Sequence, residues 1–426
     1  MLKKIFSSAF IRNVSVLVTG TVIAQVISIM IQPVLRRYFD PEAFGAFDIY
    51  YKILGFICLF LPLSYDYAIV LPKRKISSVN VAYSVMFLSL VLFLISEILV
   101  IIFHENLVHL LRYPTKYGYA LYLVPLSALF FAFSTTISYL LIREKKFSAI
   151  SLSKIGRRGM EGVIQVGIGL TGNSVGLFLG DLFGNIANTI ISLRLYNFDN
   201  ADYKKNISFS LFIKVLKKYF YITKINFIPN LLNTIAISSI TFIVLFRFDV
   251  KIVGYLELTQ KILIVPTALV GMAVSQVILE TVSSAFQQNL SFMRKIIVMF
   301  LLLLAIGLLY FVVIFFFGEF IFTLFFGENW RISGVYAEVL IFGTFFSMIV
   351  SPFGNVLRGI NNFKLNAFWM YIRVSIIGIL FILPYKDINR FILIYTCSEI
   401  IVYVLYLFFI IKAITSYEKN IKDFYC

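Results

Sequence analysis

About twelve apolar segments, each long enough to cross a bilayer, follow one another along this chain, and its Lys and Arg residues gather in alternate short loops between them. Roughly 20 apolar residues cross a hydrocarbon core of about 30 Å as a helix, which satisfies its own backbone polar groups there. The expected spans are Asn13–Leu35, Phe47–Leu71, Val79–Phe103, Gly118–Ile142, Ala149–Leu170, Val175–Leu195, Tyr219–Phe246, Ile252–Val282, Ile296–Phe317, Tyr336–Leu357, Asn366–Pro384 and Ile388–Ile411. With 60% hydrophobic and 14% charged residues, the chain is too apolar for an ordinary soluble domain. The first segment is too long for a signal-peptide core and lacks a small-residue cleavage site, so it is read as a retained span.

The positive charges give an orientation. About 22 of the 38 Lys and Arg residues lie near the termini and in alternate loops, about nine lie in the opposite loops, and about seven lie inside spans. The positive-inside bias therefore predicts that both termini are cytoplasmic. Topology and attraction to anionic lipid account for the net charge of +17, and no nucleic-acid-binding motif is visible. Cys58, Cys397, Cys426, His104 and His109 show no framework or ligand spacing, so neither a disulfide scaffold nor a metal site or other cofactor is expected.

An internal repeat organises the chain. Asp40, Gly45, Asp48 and Lys52 have the same relative spacing as Asp249, Gly254, Glu257 and Lys261. A looser match pairs Arg157 with Arg373, each ten residues after a Phe, Phe147 and Phe363. The repeat predicts an all-α polytopic fold of two six-helix bundles in parallel topology, related by a pseudo-two-fold. The bundles are assigned to residues 1–196 and 219–413, with a basic linker at 197–218 and a cytoplasmic tail at 414–426. Two such bundles with a cavity between them suit alternating access, but the symmetry names no cargo.

Buried charge speaks to cargo. An ionisable group near the bilayer centre costs about 2.5–3.5 kcal/mol on insertion scales, so those that remain usually face a bundle interior or water. Lys154, Arg157, Arg158 and Glu161 follow helical spacing on one face. Arg157 is on the order of 15 Å beyond Phe147, near mid-membrane, and Arg373 reaches a similar depth with no acid in its own span. Lys224, Lys52 and Lys261 complete a set able to stage an anion across the membrane. Asp48 with Lys52 and Glu257 with Lys261 also admit a purely local reading, as acid-before-base pairs one turn apart. Lys154 is close enough to the surface to snorkel. Asp66, Glu97, Glu161, Asp181, Glu257, Glu280 and Glu399 are the intramembrane or span-end acids. Asp66, Asp181, Glu161 and Glu257 are the candidates for ion coupling, against the alternative of ion pairs or interfacial positions. Asn185 and Asn226 are polar candidates for ligand binding within the spans.

Arg12-Asn13-Val14-Ser15 with Gln25, the stretch from Pro33 to Phe39, the turn Pro41-Glu42-Ala43-Phe44-Gly45 and Tyr65-Asp66-Tyr67-Ala68 resemble polysaccharide transporters. More narrowly, the chain resembles O-antigen flippases of the multidrug/oligosaccharidyl-lipid/polysaccharide exporter superfamily. That resemblance implies movement of an undecaprenyl-pyrophosphate-linked repeat unit to the periplasmic leaflet of a bacterial inner membrane, with a cationic cavity and an ion gradient. A polysaccharide polymerase and a chain-length regulator are the protein partners that such a role implies. Two rivals are weighed. A multidrug antiporter shares the plan but needs carboxylates for cationic drugs. A membrane glycosyltransferase or polymerase generally needs a sizeable catalytic loop, and the external loops here are about 15 residues or shorter.

Overall fold

The computed structural model describes residues 8–197 and 209–425, and these are helical nearly throughout, with no strand among them. In chain order the helices are α1 (Ser8–Met30), α2 (Gln32–Tyr38), α3 (Pro41–Phe60), α4 (Lys75–Leu110), α5 (Ala120–Arg143), α6 (Phe147–Gly169) and α7 (Val175–Tyr196). They continue as α8 (Phe209–Arg247), α9 (Val250–Gln287), α10 (Met293–Phe326), α11 (Arg331–Val350), α12 (Gly354–Gly359), α13 (Phe363–Ile382) and α14 (Ile388–Tyr425). Among the described residues eleven helical stretches are long and apolar enough to cross a membrane. The remaining long helix is α6, whose Lys154, Arg157, Arg158 and Glu161 lower its hydropathy. It packs extensively on α7 and α1.

The chain divides into two compact units, one ending at Gly254 and the other starting at Tyr255. Helix α8 packs with the first unit, against α3, α4 and the 3₁₀ turn Tyr65–Val70. Of the expected linker 197–218, residues 198–208 lie outside the described residues, and the rest after them is the start of α8. The segment read as a tail continues α14 to Tyr425. Its Glu418 accepts hydrogen bonds from the backbone N–H groups of Phe292 and Met293 at 3.2 and 3.3 Å and from Ser291 Oγ at 2.8 Å, which satisfies the start of α10.

The repeated Asp-Gly motif is a helix start. Asp40 caps α3, its Oδ1 accepting the Ala43 N–H at 2.7 Å, with Pro41 in the first turn. Asp249 Oδ1 accepts the Lys251 N–H at 3.0 Å at the start of α9. The two starts cross at their glycines. A Cβ on Gly45 would collide with the Val250 carbonyl, and one on Gly254 with the Pro41 carbonyl. The contact is reciprocal and needs no side chain at either position.

The expected span Phe47–Leu71 is corrected at both ends. Helix α3 begins at Pro41 because the Asp40 cap and Pro41 nucleate it, and it stops at Phe60. Pro62 follows, Leu63 and Ser64 adopt left-handed backbone (φ 47° and 61°), and Tyr65–Val70 form a 3₁₀ turn. Arg143 anchors the chain beyond this break, donating to the Lys73 carbonyl at 3.0 Å and to that of Pro72. Glu144 beside it pairs with Lys75 at 2.5 Å and Lys146 at 3.0 Å. Burial alone raises the Glu144 carboxyl, but the two lysines outweigh it and hold it below its ordinary range.

In the second unit, α10 buries one stripe, including Leu303, Gly307, Ile314, Gly318 and Phe322, and leaves Leu302, Leu309, Phe316 and Phe320 exposed. A wholly apolar exposed face is what lipid requires. The core of this unit joins Ile278 and Val282 to Phe353, Tyr403 and Tyr406, with Trp369 stacked on Tyr406 at 3.9 Å.

Candidate functional site: an arginine–carboxylate pair in each unit

In the first unit the site forms where α6 and α7 lie against α3 and α5. The stripe Gly176, Gly180 and Gly184 on α7 lets α6 approach closely: a Cβ at Gly180 would meet Gln165, and one at Gly184 would lie 3.1 Å from the Arg157 carbonyl. Arg157 Nη2 thereby sits 3.3 Å from Asp181 Oδ1, with Asp181 fully buried. The second carboxylate oxygen accepts hydrogen bonds from Ser127 Oγ at 2.6 Å, Tyr50 Oη at 3.1 Å and Asn185 Nδ2 at 3.2 Å. Asn185 also donates to Ser127 at 2.8 Å. The Arg157 guanidinium lies 5.4 Å from the Phe131 ring centre.

The neighbouring charges are also paired. Arg158 Nη1 meets Glu161 Oε2 at 2.7 Å, and Lys154 Nζ donates to Thr21 Oγ1 at 3.2 Å. Lys154 thus hydrogen-bonds within the bundle. Lys52 is 3.6 Å from Asp48, whose other oxygen accepts from Thr241 at 2.7 Å. Lys224 is exposed on α8, while Asn226 donates to the Ile222 carbonyl of its own helix at 2.8 Å. Asp66 lies in the 3₁₀ turn beyond the α3 break, buried and without an ion pair among the described residues.

The second unit repeats the main pair. Arg373 on α13 reaches Glu399 on α14 at 3.7 Å, with its guanidinium 5.8 Å from the Trp369 ring and 5.9 Å from Tyr403. Arg373 is therefore not an isolated cation. Its acid comes from the following helix, outside its own span. Lys261 pairs with Glu257 at 3.1 Å within α9.

Both pairs leave donors in reserve. Arg157 Nε and Arg373 Nε are buried without a hydrogen-bond partner among the described residues, a costly state for a charged donor. The arrangement holds a guanidinium in low dielectric, neutralised by one carboxylate contact, with further N–H groups able to take an anion's oxygen.

Tyr50, Ser127 and Glu399 are site residues that the sequence reading left unassigned, because their roles depend on contacts between helices. Arg36, just beyond the expected span Asn13–Leu35, is buried, its guanidinium 3.3 Å over the Phe44 ring and donating to Gln32 Oε1 at 3.2 Å. The Gln32-to-Arg36 spacing of one helical turn was the available signal.

Long apolar helices carrying buried ion pairs define a multi-pass membrane protein, and its fold is shared by solved structures of a transporter family and a lipid flippase. An inward-facing multidrug resistance transporter of the MATE family in the MOP superfamily superposes with a TM-score of 0.75 at 13% identity, over 93% of this chain and 96% of its own. The lipid II flippase MurJ in an inward closed conformation gives 0.73 at 17% identity, over 95% and 90%. An outward-facing MATE transporter gives 0.55 at 14% identity, over 95% and 96%. No curated protein matches the sequence. The chain belongs to the family described as polysaccharide biosynthesis protein, whose profile matches residues 34–334.

Proposed function

We propose that this protein is a flippase that carries an undecaprenyl-pyrophosphate-linked oligosaccharide repeat unit from the cytoplasmic to the periplasmic leaflet of a bacterial inner membrane, for O-antigen-like surface polysaccharide. Both termini face the cytoplasm in this reading, as the positive charges direct. The observation that carries it is the repeated arginine–carboxylate pair, each with a buried guanidinium Nε that no group among the described residues satisfies. A pyrophosphate oxygen can take that N–H and compete with the carboxylate, so the pair exchanges partners without stranding a charge. Arg373 is the more readily released of the two, because Glu399 meets it at 3.7 Å with no other donor among the described residues fixing the acid. The prenyl tail stays in lipid while the two halves alternate access. Arg158, Lys52, Lys261 and Lys224 supply the surrounding positive potential, and Asn185 and Asn226 are the amides assigned to glycan hydroxyls. Asp66, Asp181, Glu161 and Glu257 remain the acids for coupling to an ion gradient. Asp66 leads this group because it is the one without an ion pair among the described residues.

The MATE likeness raises drug export as a second reading. The acids it would use, Asp181, Glu161, Glu257 and Glu399, are each engaged by a basic side chain, which disfavours a cationic cargo. Transfer of a fluorescent undecaprenyl-pyrophosphate-linked oligosaccharide across proteoliposomes separates the two. The account expects protein-dependent transfer of the glycolipid and none of a cationic dye; the opposite pattern overturns it.

A further inference from the structure

A cavity of about 420 Å³ opens within the second unit between α9, α11 and α12. Its volume lies in the range of small-ligand sites. Thr267, Gln276, Ser347, Ser351, Asn355 and Arg358 give it a lining of hydroxyl and amide groups around a single cation, and no acidic residue lines it among the described residues. So polar a wall is unusual among long apolar helices, since each neutral polar group there costs free energy unless it finds a partner.

The wall is built rather than incidental. Asn355 Nδ2 donates to the Ser275 carbonyl at 3.0 Å, tying α12 to α9. Its Oδ1 accepts from Arg358 Nη1 at 3.3 Å, which steers the guanidinium. The cavity leaves room beside Gly271, where an added Cβ would meet Pro352 only at an ordinary contact distance of 3.8 Å. Arg358 differs from Arg157, Arg158, Arg373, Lys52 and Lys261, each of which has a carboxylate within 4 Å. Arg358 has a neutral amide oxygen instead and no ion pair among the described residues.

We infer that this cavity is a binding subsite for a phosphate-linked sugar, with Arg358 holding a phosphate oxygen and Gln276, Ser347, Ser351 and Thr267 hydrogen-bonding the hydroxyls of the adjoining sugar. A guanidinium with no internal carboxylate attracts an anion without first breaking an ion pair. The neutral donors and acceptors beside it match a polyol, and the lack of acids excludes a cationic ligand. The inference rests on the flippase reading and deepens it. Arg358 lies in the last turn of α12, at the end of a span that the positive-inside bias assigns to the cytoplasmic side, so the subsite is where the headgroup is first received.

The test measures binding to the full-length protein in nanodiscs, with two probes: undecaprenyl-pyrophosphate-linked N-acetylglucosamine and undecaprenyl pyrophosphate without sugar. Both Arg358 and Gln276 are exposed, so Arg358→Gln and Gln276→Leu are compared at matched thermal stability, with Arg358→Lys as a charge-retaining control. Arg358→Gln is expected to weaken both probes about tenfold, as for loss of a charged hydrogen bond, with partial recovery in Arg358→Lys. Gln276→Leu is expected to weaken the sugar-bearing probe alone, about threefold to tenfold. Unchanged binding in Arg358→Gln and Gln276→Leu, with transfer by the wild type intact, overturns the subsite and leaves the flippase reading standing. A wild type that neither binds nor transfers the glycolipid overturns that reading, and the subsite with it. Nanodiscs with and without phosphatidylglycerol distinguish the source of the phosphate. An Arg358 effect confined to phosphatidylglycerol nanodiscs assigns the cavity to bulk lipid and overturns the proposal.

Discussion

The two arginine–carboxylate pairs occupy matching places in the two units but are held differently. Asp181 is sealed from solvent and fixed by Tyr50, Ser127 and Asn185 as well as by Arg157. Glu399 keeps 15% side-chain exposure, and its partner Arg373 keeps 18%. Among the described residues only the guanidinium, at 3.7 Å, holds the acid, and two aromatic rings flank the cation. One repeat has thus become a locked network and the other a loose pair. The lesson is energetic: a buried pair stabilises a bundle only when its remaining lone pairs are satisfied, and a pair left short of donors is free to exchange partners.

The comparison breaks most visibly on removal of the acids. Asp181→Leu strands the buried Arg157 without a counter-charge and is expected to cost about 3–5 kcal/mol, whereas Glu399→Leu should cost about half as much because Arg373 keeps its rings and some solvent. Thermal unfolding in detergent reads both. Equal losses would show that the two pairs are held alike.

The crossing of the helix starts sharpens the symmetry itself. Gly45→Ala and Gly254→Ala should each destabilise by about 1–3 kcal/mol, by forcing apart backbones that now touch. Gly55, with nothing near its missing Cβ, serves as the tolerant control. A harmless Gly254→Ala beside a damaging Gly45→Ala would show that the contact is not reciprocal.

The smallest effect belongs to the loop carboxylate Glu144. Its folded pKa lies below the ordinary value of 4.5. Its ion pairs therefore contribute stability that is complete above that value and fades as pH falls through the lower, folded one. Glu144→Gln is expected to flatten the melting temperature modestly over that acidic interval and to leave its slope above pH 6 unchanged. An unaltered acid slope would mean that Lys75 and Lys146 contribute nothing there.

Much of this was legible in the chain. Apolar length gave the helices, because every backbone group in lipid must be bonded within its own segment. The spacing from Asp40 to Lys52 and from Asp249 to Lys261 gave the matching helix starts, and the phase of Arg157 and Arg373 gave the two cations. Their partners were not legible as partners. Asp181 and Glu399 stood among seven intramembrane or span-end acids, and choosing between them requires knowing which helices touch. Ser127 and Tyr50 carried no signal at all, since a hydroxyl on an apolar helix most often bonds its own backbone, as Thr136 does to the Ala132 carbonyl at 2.9 Å. The end of α3 was missed because hydropathy stays high through Pro62 and Leu63, while the break there is a matter of backbone conformation.

The central claim is that the loose pair exchanges its carboxylate for the phosphate of a lipid-linked glycan. Its most direct test is the rate of glycolipid transfer in proteoliposomes by the wild type, Arg373→Gln, and the doubly neutral Arg373→Gln/Glu399→Gln variant. The double variant removes the cation without stranding a charge. The account predicts wild-type transfer and at least a tenfold loss in both variants, with the double variant melting close to the wild type, in line with the worth of a charged hydrogen bond. Wild-type rates in a correctly folded double variant would contradict it.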